Sequence, residues 1–207
     1  HLWSSKNVIQ SSRYRLSFTF GGLLVSETRS IAVEYLYSRD WNQVRSRVME
    51  DNLLQKIRSS SSFRYFREIR DRLSQAYPWE IELIAGGTAT HTPSGRTVEA
   101  MEMDIPLIIL AVVSRYYSLI GDFISEVLRT RIAEGLLTVD SSMFRSYIAD
   151  LAPEHPELQK ISTATSKKLT QVSLRVLKEA GIAVGSREPY ALTVPGLSDP
   201  VKKLYCN

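Results

Sequence analysis

Residues 162–194 read STATSKKLTQVSLRVLKEAGIAVGSREPYALTV, and their pattern decides the fold class. On a helix of about 100° per residue, Leu169, Val172, Val176 and Ala180 fall on one face, the i, i+3, i+7, i+11 spacing of a buried stripe. Lys167, Gln171 and Lys178 lie nearly opposite, with Lys168 and Arg175 on the flank. Thr163 and Thr165 offer capping hydroxyls, and Gly181 stands where a helix ends in a left-handed residue. Residues 182–184 and 190–194 then alternate like short strands around the turn 185–189. A helix followed by a tight hairpin is the plan of a winged helix-turn-helix. A basic, amide-bearing helix face beside an arginine-tipped hairpin suits a DNA major groove and its phosphates. The same residues also make an ordinary amphipathic helix with a solvated basic face, and the stretch alone leaves both readings open.

The 207-residue chain is long enough for one sizeable core or two small domains, and 43% hydrophobic with 23% charged residues is an ordinary globular composition. Its single cysteine, Cys206, excludes an intrachain disulfide framework and fits a reducing, cytoplasmic setting. The net charge is +4, but its distribution is uneven. Residues 1–75 hold 13 Lys and Arg against 7 Asp and Glu; residues 76–157 hold 5 against 12; residues 158–207 hold 8 against 3. The expected organisation follows these segments: a basic helical part with a helix-turn-helix character over 1–75, an acidic helical part over 76–157, and a winged-helix-like part over 158–207. Two basic ends around an acidic middle point to a polyanion met at both ends. The most apolar run, IPLIILAVV at 105–113, is far short of the ~20 residues a membrane span needs, so a core helix and no membrane partner are expected. The first residues, HLWSSKNVIQSSRYR, lack the apolar region of a secretory signal.

Along the chain, YRLSFTF at 14–20 alternates like a strand that ends at Gly21 and Gly22, supplying a hairpin elsewhere or packing as an arm. A helix over 26–37 would be capped by Ser26, and Asp40 would cap a helix over 41–51 that buries Trp41, Val44 and Val48. The next stretch, NLLQKIRSSSSFRYFREIRDRL at 52–73, places four serines before a helix beginning near Phe63. That helix would bury Phe66, Ile69 and Leu73 and turn Arg64 and Arg67 outward. Serine hydroxyls and the free N–H groups of a helix start both donate to phosphate, so a second helix-turn-helix is one reading. A serine-rich connector before a surface helix, its arginines paired with Glu68 and Asp71, is the other. Pro78 opens a helix ending at Gly86 and Gly87, and 88–97 reads as a polar, mobile connector. Gly121 and Asp122 mark a kink or break after the apolar run, and Asp140 caps a helix over 144–151. The whole reads as mainly α: a helical bundle with helix-turn-helix elements at both ends, the second with a short β-hairpin wing.

Several strings in order carry a family resemblance: SFTFGGLL at 17–24, DWNQVR at 40–45, NLLQ at 52–55, SRYYSLI at 114–120, EVLR at 126–129 and STATSKKL at 162–169. On these the chain resembles the BrxA family, small accessory proteins of BREX phage-defence systems that were once labelled inner-membrane proteins. The resemblance spans nearly the whole chain. It implies a cytoplasmic, helical, DNA-binding protein with helix-turn-helix elements and a central part similar to the antitermination factor NusB. Implied partners are double-stranded DNA and other BREX components, a methyltransferase and an ATPase. The family's basic position soon after the glutamine falls in Gln55, Lys56, Ile57, Arg58, where Lys56 and Arg58 are both eligible.

Enzymatic chemistry finds little support. His1, His91 and His155 have no metal-ligand spacing, Gly21–Gly22 and Gly86–Gly87 are followed by no phosphate-loop lysine, and Glu99, Glu102 and Asp104 have no neighbouring lysine. No cofactor is expected. The expected DNA contacts are Arg58, Ser61, Ser62, Arg64 and Arg67 at one end, and Lys167, Lys168, Gln171, Arg175 and Arg187 at the other. Most of these groups suit phosphate rather than base edges, so sequence preference should be weak. A protein-interaction adaptor docking through the acidic middle, or an RNA binder, are the alternative readings.

Overall fold

The computed structural model describes residues 13–18 and 20–206. These residues are mainly helical, with two small antiparallel sheets among them. In order they form α1 (Val25–Ser38), α2 (Trp41–Glu50), α3 (Ser59–Leu73), α4 (Pro78–Gly86), β1 (Thr88–Ala89), β2 (Val98–Glu99) and α5 (Ile105–Tyr116). There follow α6 (Ser118–Asp122), a π-helical turn (Phe123–Leu128), α7 (Arg129–Ala133), β3 (Thr138–Val139), α8 (Ser141–Leu151), α9 (Pro156–Gln159), α10 (Thr163–Glu179), β4 (Ala183–Val184), β5 (Tyr190–Leu192) and α11 (Asp199–Leu204). These pack as two compact units, each discontinuous in sequence, and the division cuts across the three charge segments. One unit takes Leu24–Val112 and the residues from Leu197 on; the other takes the described residues up to Leu23 and Val113–Gly196.

In the first unit α1 lies on α2, α3 and α4. Val44 and Val48 of α2 and Phe66, Ile69 and Leu73 of α3 are all buried, as their spacing predicts, and so are Ile31, Leu83 and Ile84 of the same unit. Asp40 caps α2 by accepting from the Asn42 N–H at 2.8 Å. Helix α1 starts differently from the expectation: Leu24, left-handed at φ 57°, precedes it, and the Ser26 hydroxyl donates to Glu27 instead of capping. The apolar run becomes the core helix α5, and among the described residues no single helix is long and apolar enough to cross a membrane. The connector expected to be mobile is a hairpin, with Thr88 opposite Glu99 and Ala89 opposite Val98. Buried Glu82 pins its root by accepting from the N–H groups of Thr90 (2.6 Å) and His91 (3.1 Å) and from the His91 ring. Burial alone would raise the Glu82 pKa, but these donors outweigh it and hold the carboxyl below its ordinary range. Two more buried acids hold the last helical segment: Asp104 accepts from the Ser198 N–H (2.7 Å) and hydroxyl (2.6 Å), and Glu80 from the Tyr205 hydroxyl (2.8 Å).

The second unit carries an arm. Residues 14–18 do not form the expected strand, and Thr19 lies outside the described residues. The alternating aromatics serve helix packing instead: Phe18 is buried against the Tyr117 ring, 4.9 Å between centroids, and Tyr14 sits 4.5 Å from the His155 ring. The Tyr14 hydroxyl donates to Asp122 (3.0 Å) and its N–H to Glu157 (2.6 Å), while Tyr147 donates to Glu126 (2.9 Å). Burial, then the Glu126 charge, raises the Asp122 pKa against the lowering effect of the Tyr14 hydroxyl and His155. Gly121 in α6 lies close on α5, where a Cβ would stand 3.1 Å from Ser114, so the break expected there is a tight helix contact that runs into the π turn. Phe123 from that turn meets Phe144 of α8 edge-on at 4.9 Å.

The hairpin β4–β5 forms as expected, with Ala183 opposite Leu192 and Val184 opposite Ala191. A third strand, β3, pairs with β5 through Thr138–Ala191 and Val139–Tyr190, giving the order β3-β5-β4. The extra strand therefore comes from the segment before α8, not from the arm. Glu188 at the hairpin tip accepts from the Ser141 N–H (2.9 Å) and hydroxyl, fixing the tip to the start of α8, which Asp140 caps.

Candidate nucleic-acid interface

Helix α10 begins at Ser162, whose hydroxyl accepts from the Thr165 N–H at 3.1 Å; the cap is thus this serine rather than Thr163 or Thr165. Gly181 follows the helix at φ 73°, a left-handed conformation that glycine adopts without strain. The buried side is wider than the predicted stripe, adding Thr170, Ser173, Leu174 and Leu177 to Leu169, Val172, Val176 and Ala180. Beyond its first turn, what remains exposed is Lys167, Lys168, Gln171, Arg175 and Lys178, with Glu179 beside them at the C-terminal end. Arg175 reaches the Gly21 carbonyl at 3.3 Å, and the Lys178 ammonium stands 4.6 Å over the Tyr190 ring, so both are oriented by this unit's own backbone and hairpin. Lys167 and Lys168 form no ion pair among the described residues. Arg187 is exposed at the hairpin tip that Glu188 anchors.

The helix is held at its far end by the arm. Glu179 accepts from the Leu23 N–H at 2.6 Å, and a Cβ on Gly22 would stand 2.3 Å from that carboxylate. The two glycines read from sequence as a strand end are therefore a seat for α10. Gly21 supplies a left-handed turn at φ 74°, and Gly22 supplies space.

On the first unit, α3 starts at Ser59 and takes in all four serines as its first turn, with no side-chain cap at Arg58. Starting the helix four residues earlier reassigns its faces. Ser62, one turn before Phe66, points inward and is 2% exposed, which removes it from the expected contacts; Ser61 is half-buried. The outer face carries Ser59, Ser60, Arg64 and Arg67, with Arg58 exposed just before it. Ser59 and Ser60 were not among the expected contacts, because a serine run carries no periodicity to show where the helix begins. Arg45 of α2 adds a further cation there, 5.3 Å over the Phe63 ring. Of the two residues eligible for the basic position after Gln55, Lys56 turns inward to Glu27 (2.7 Å) and over the Tyr65 ring (4.4 Å), while Arg58 is exposed. Among the described residues no group of three or more His, Cys, Asp or Glu could hold a metal ion.

Comparisons with known proteins show a shared fold in one case and a family in another. No curated protein matches the chain. A solved structure described as an uncharacterized protein from Magnetospirillum magneticum aligns with a TM-score of 0.74 over 92% of this chain and 90% of that one, at 22% identity, a likeness of fold. The family model described as BrxA matches residues 12–204, and the chain belongs to the BrxA family.

Proposed function

We propose that this protein is a non-enzymatic, double-stranded DNA-binding accessory component of a BREX phage-defence system, gripping the duplex mainly through its phosphates. The observation that carries the reading is the outer strip of α10. Lys167, Lys168, Gln171 and Arg175 are exposed along one side of that helix, and Arg187 stands on the hairpin that follows. We read the order α7, β3, α8, α10, β4, β5, with the one-turn α9 between α8 and α10 and with β3 beside β5, as that of a winged helix in which α10 is the recognition helix. The α2–α3 pair, with Arg58, Arg64 and Arg67 outward, is read as a second DNA-facing element.

Four phosphate contacts from the α10 face give a log–log salt slope of about −3.6, and three from the α3 face, taken by itself, give about −2.7. Fluorescence anisotropy on a mixed-sequence duplex across a salt series tests this, and a flat response refutes it. Gln171 is the one amide on the α10 strip, so affinity should vary little with sequence.

A second reading rests on a groove of about 350 Å³ in the unit that holds α10, where Glu126 and Asp150 outnumber the single cation Arg131 and Tyr147, Ser142 and Ser146 add to the polar lining. Its carboxylates suit a basic segment of a partner protein. Co-purification of a BREX component that survives loss of DNA binding, and is lost in Asp150→Lys, is the result expected of it.

A further inference from the structure

Ile57 is fully exposed, in a segment that is otherwise tied down. Two residues, Asn52 (φ 49°) and Gln55 (φ 51°), take left-handed conformations, and the Asn52 side chain accepts from the Lys56 N–H at 2.9 Å. Leu54 is buried at 5% exposure, and Lys56 is drawn inward between Glu27 and the Tyr65 ring. With both inward anchors fixed, the backbone turns Ile57 and Arg58 out together. Two residues later α3 begins, uncapped by any side chain. The N–H groups of Ser61 and Ser62 go to the Arg58 carbonyl. Those of Ser59 and Ser60 have no intrahelical acceptor, as at every helix start. An apolar side chain thus projects just before a cationic helix start, between inward Lys56 and exposed Arg58 in the chain.

Beside exposed cations that suit phosphate, such a group has one apolar partner in a major groove, the thymine C5-methyl. Resting on the DNA reading above, we infer that Ile57 is a base-contacting residue that packs on thymine methyl groups. It supplies a preference for thymine over uracil while the surrounding cations hold phosphate. The contact is apolar and small, so it adds discrimination at one position without making the protein strongly sequence-specific. It also favours DNA over RNA, which carries no such methyl.

The test uses the full chain and two short duplexes: alternating adenine–thymine, and the same sequence with deoxyuridine in place of every thymine. The methyl is the only difference between them. Wild type should bind the thymine duplex about three- to fourfold tighter, the value of one methyl removed from water. Ile57→Ala, an exposed truncation that leaves the core untouched, should bind both duplexes equally, near the wild-type affinity for the uracil duplex. Equal wild-type affinity for the two duplexes overturns the inference while leaving DNA binding standing. A thymine preference that persists in Ile57→Ala also overturns it, because the methyl is then read by another residue. If wild type binds neither duplex, the DNA reading fails and this inference falls with it.

Discussion

Replacing Gly22 by alanine tests how the arm seats α10. The new methyl would stand 2.3 and 2.6 Å from the two Glu179 carboxylate oxygens and 2.7 Å from its carbon, closer than any real Cβ contact. The carboxylate is the far end of a flexible side chain, so it moves aside rather than forcing the backbone, and the Leu23 N–H loses this acceptor. Losing a hydrogen bond to a charged group costs about 1.5–3 kcal/mol, and Glu179 lies at the surface, which puts the value near 1.5 kcal/mol. For a chain of this length that corresponds to a melting temperature lower by about 3–6 °C. The assay is a thermal melt of four proteins: wild type, Gly22→Ala, Glu179→Ala and the double variant. Once Glu179 is truncated the methyl has room, so Gly22→Ala should cost almost nothing in that background, and the cycle should show coupling close to the full single-variant loss. Additive losses would refute the reasoning, because they would mean that the glycine is needed for something other than the Glu179 carboxylate.

Other outcomes follow from the charges. The pair Lys167→Glu and Lys168→Glu should weaken duplex binding and reduce the salt slope by about 1.8, while an unchanged slope in the anisotropy titration takes α10 out of the interface. Asp122 has a raised pKa, so its contribution to stability is fully present below the ordinary carboxylate range and declines as pH rises toward its folded-state value. Asp122→Asn stays neutral and still accepts from the Tyr14 hydroxyl, so at neutral pH it should melt above wild type; a lower melting temperature contradicts the sign. Glu82 has the opposite sign: its stabilisation is present above the ordinary glutamate range and is lost as pH falls through its depressed value. Glu82→Gln should therefore speed hydrogen exchange at the Thr90 and His91 amides at neutral pH, and unchanged protection there would show that the hairpin root does not depend on the charge.

The parts of this fold that were legible in the sequence are those whose buried residues repeat at helical spacing. Val44 and Val48, then Phe66, Ile69 and Leu73, then Leu169, Val172 and Val176 each announce their helix and its inner face. Starts were harder, because several hydroxyls stand near each one and only backbone geometry selects Ser162 over Thr163 or passes over Ser26. The arm misled for a physical reason: alternation marks any extended segment with one buried side, and Phe18 buries its ring against Tyr117 without a strand neighbour. Strand β3 is two residues long, too short to carry a pattern of its own. The exposed cations of both faces were read correctly as outward, but Ser62 could not be, since its direction depends on where α3 begins.

The buried ties from Asp104 to Ser198 and from Glu80 to Tyr205 have a consequence for how the chain acquires its structure. A ribosome delivers Leu24–Val112 early, but the segment from Leu197 on, which belongs with it, emerges only after all of Val113–Gly196. The unit built around Leu24–Val112 is thus completed only after the other is fully synthesised. Until then the carboxyls of Glu80 and Asp104 lack those partners, and the nascent unit must wait, incompletely closed, through the translation of its neighbour.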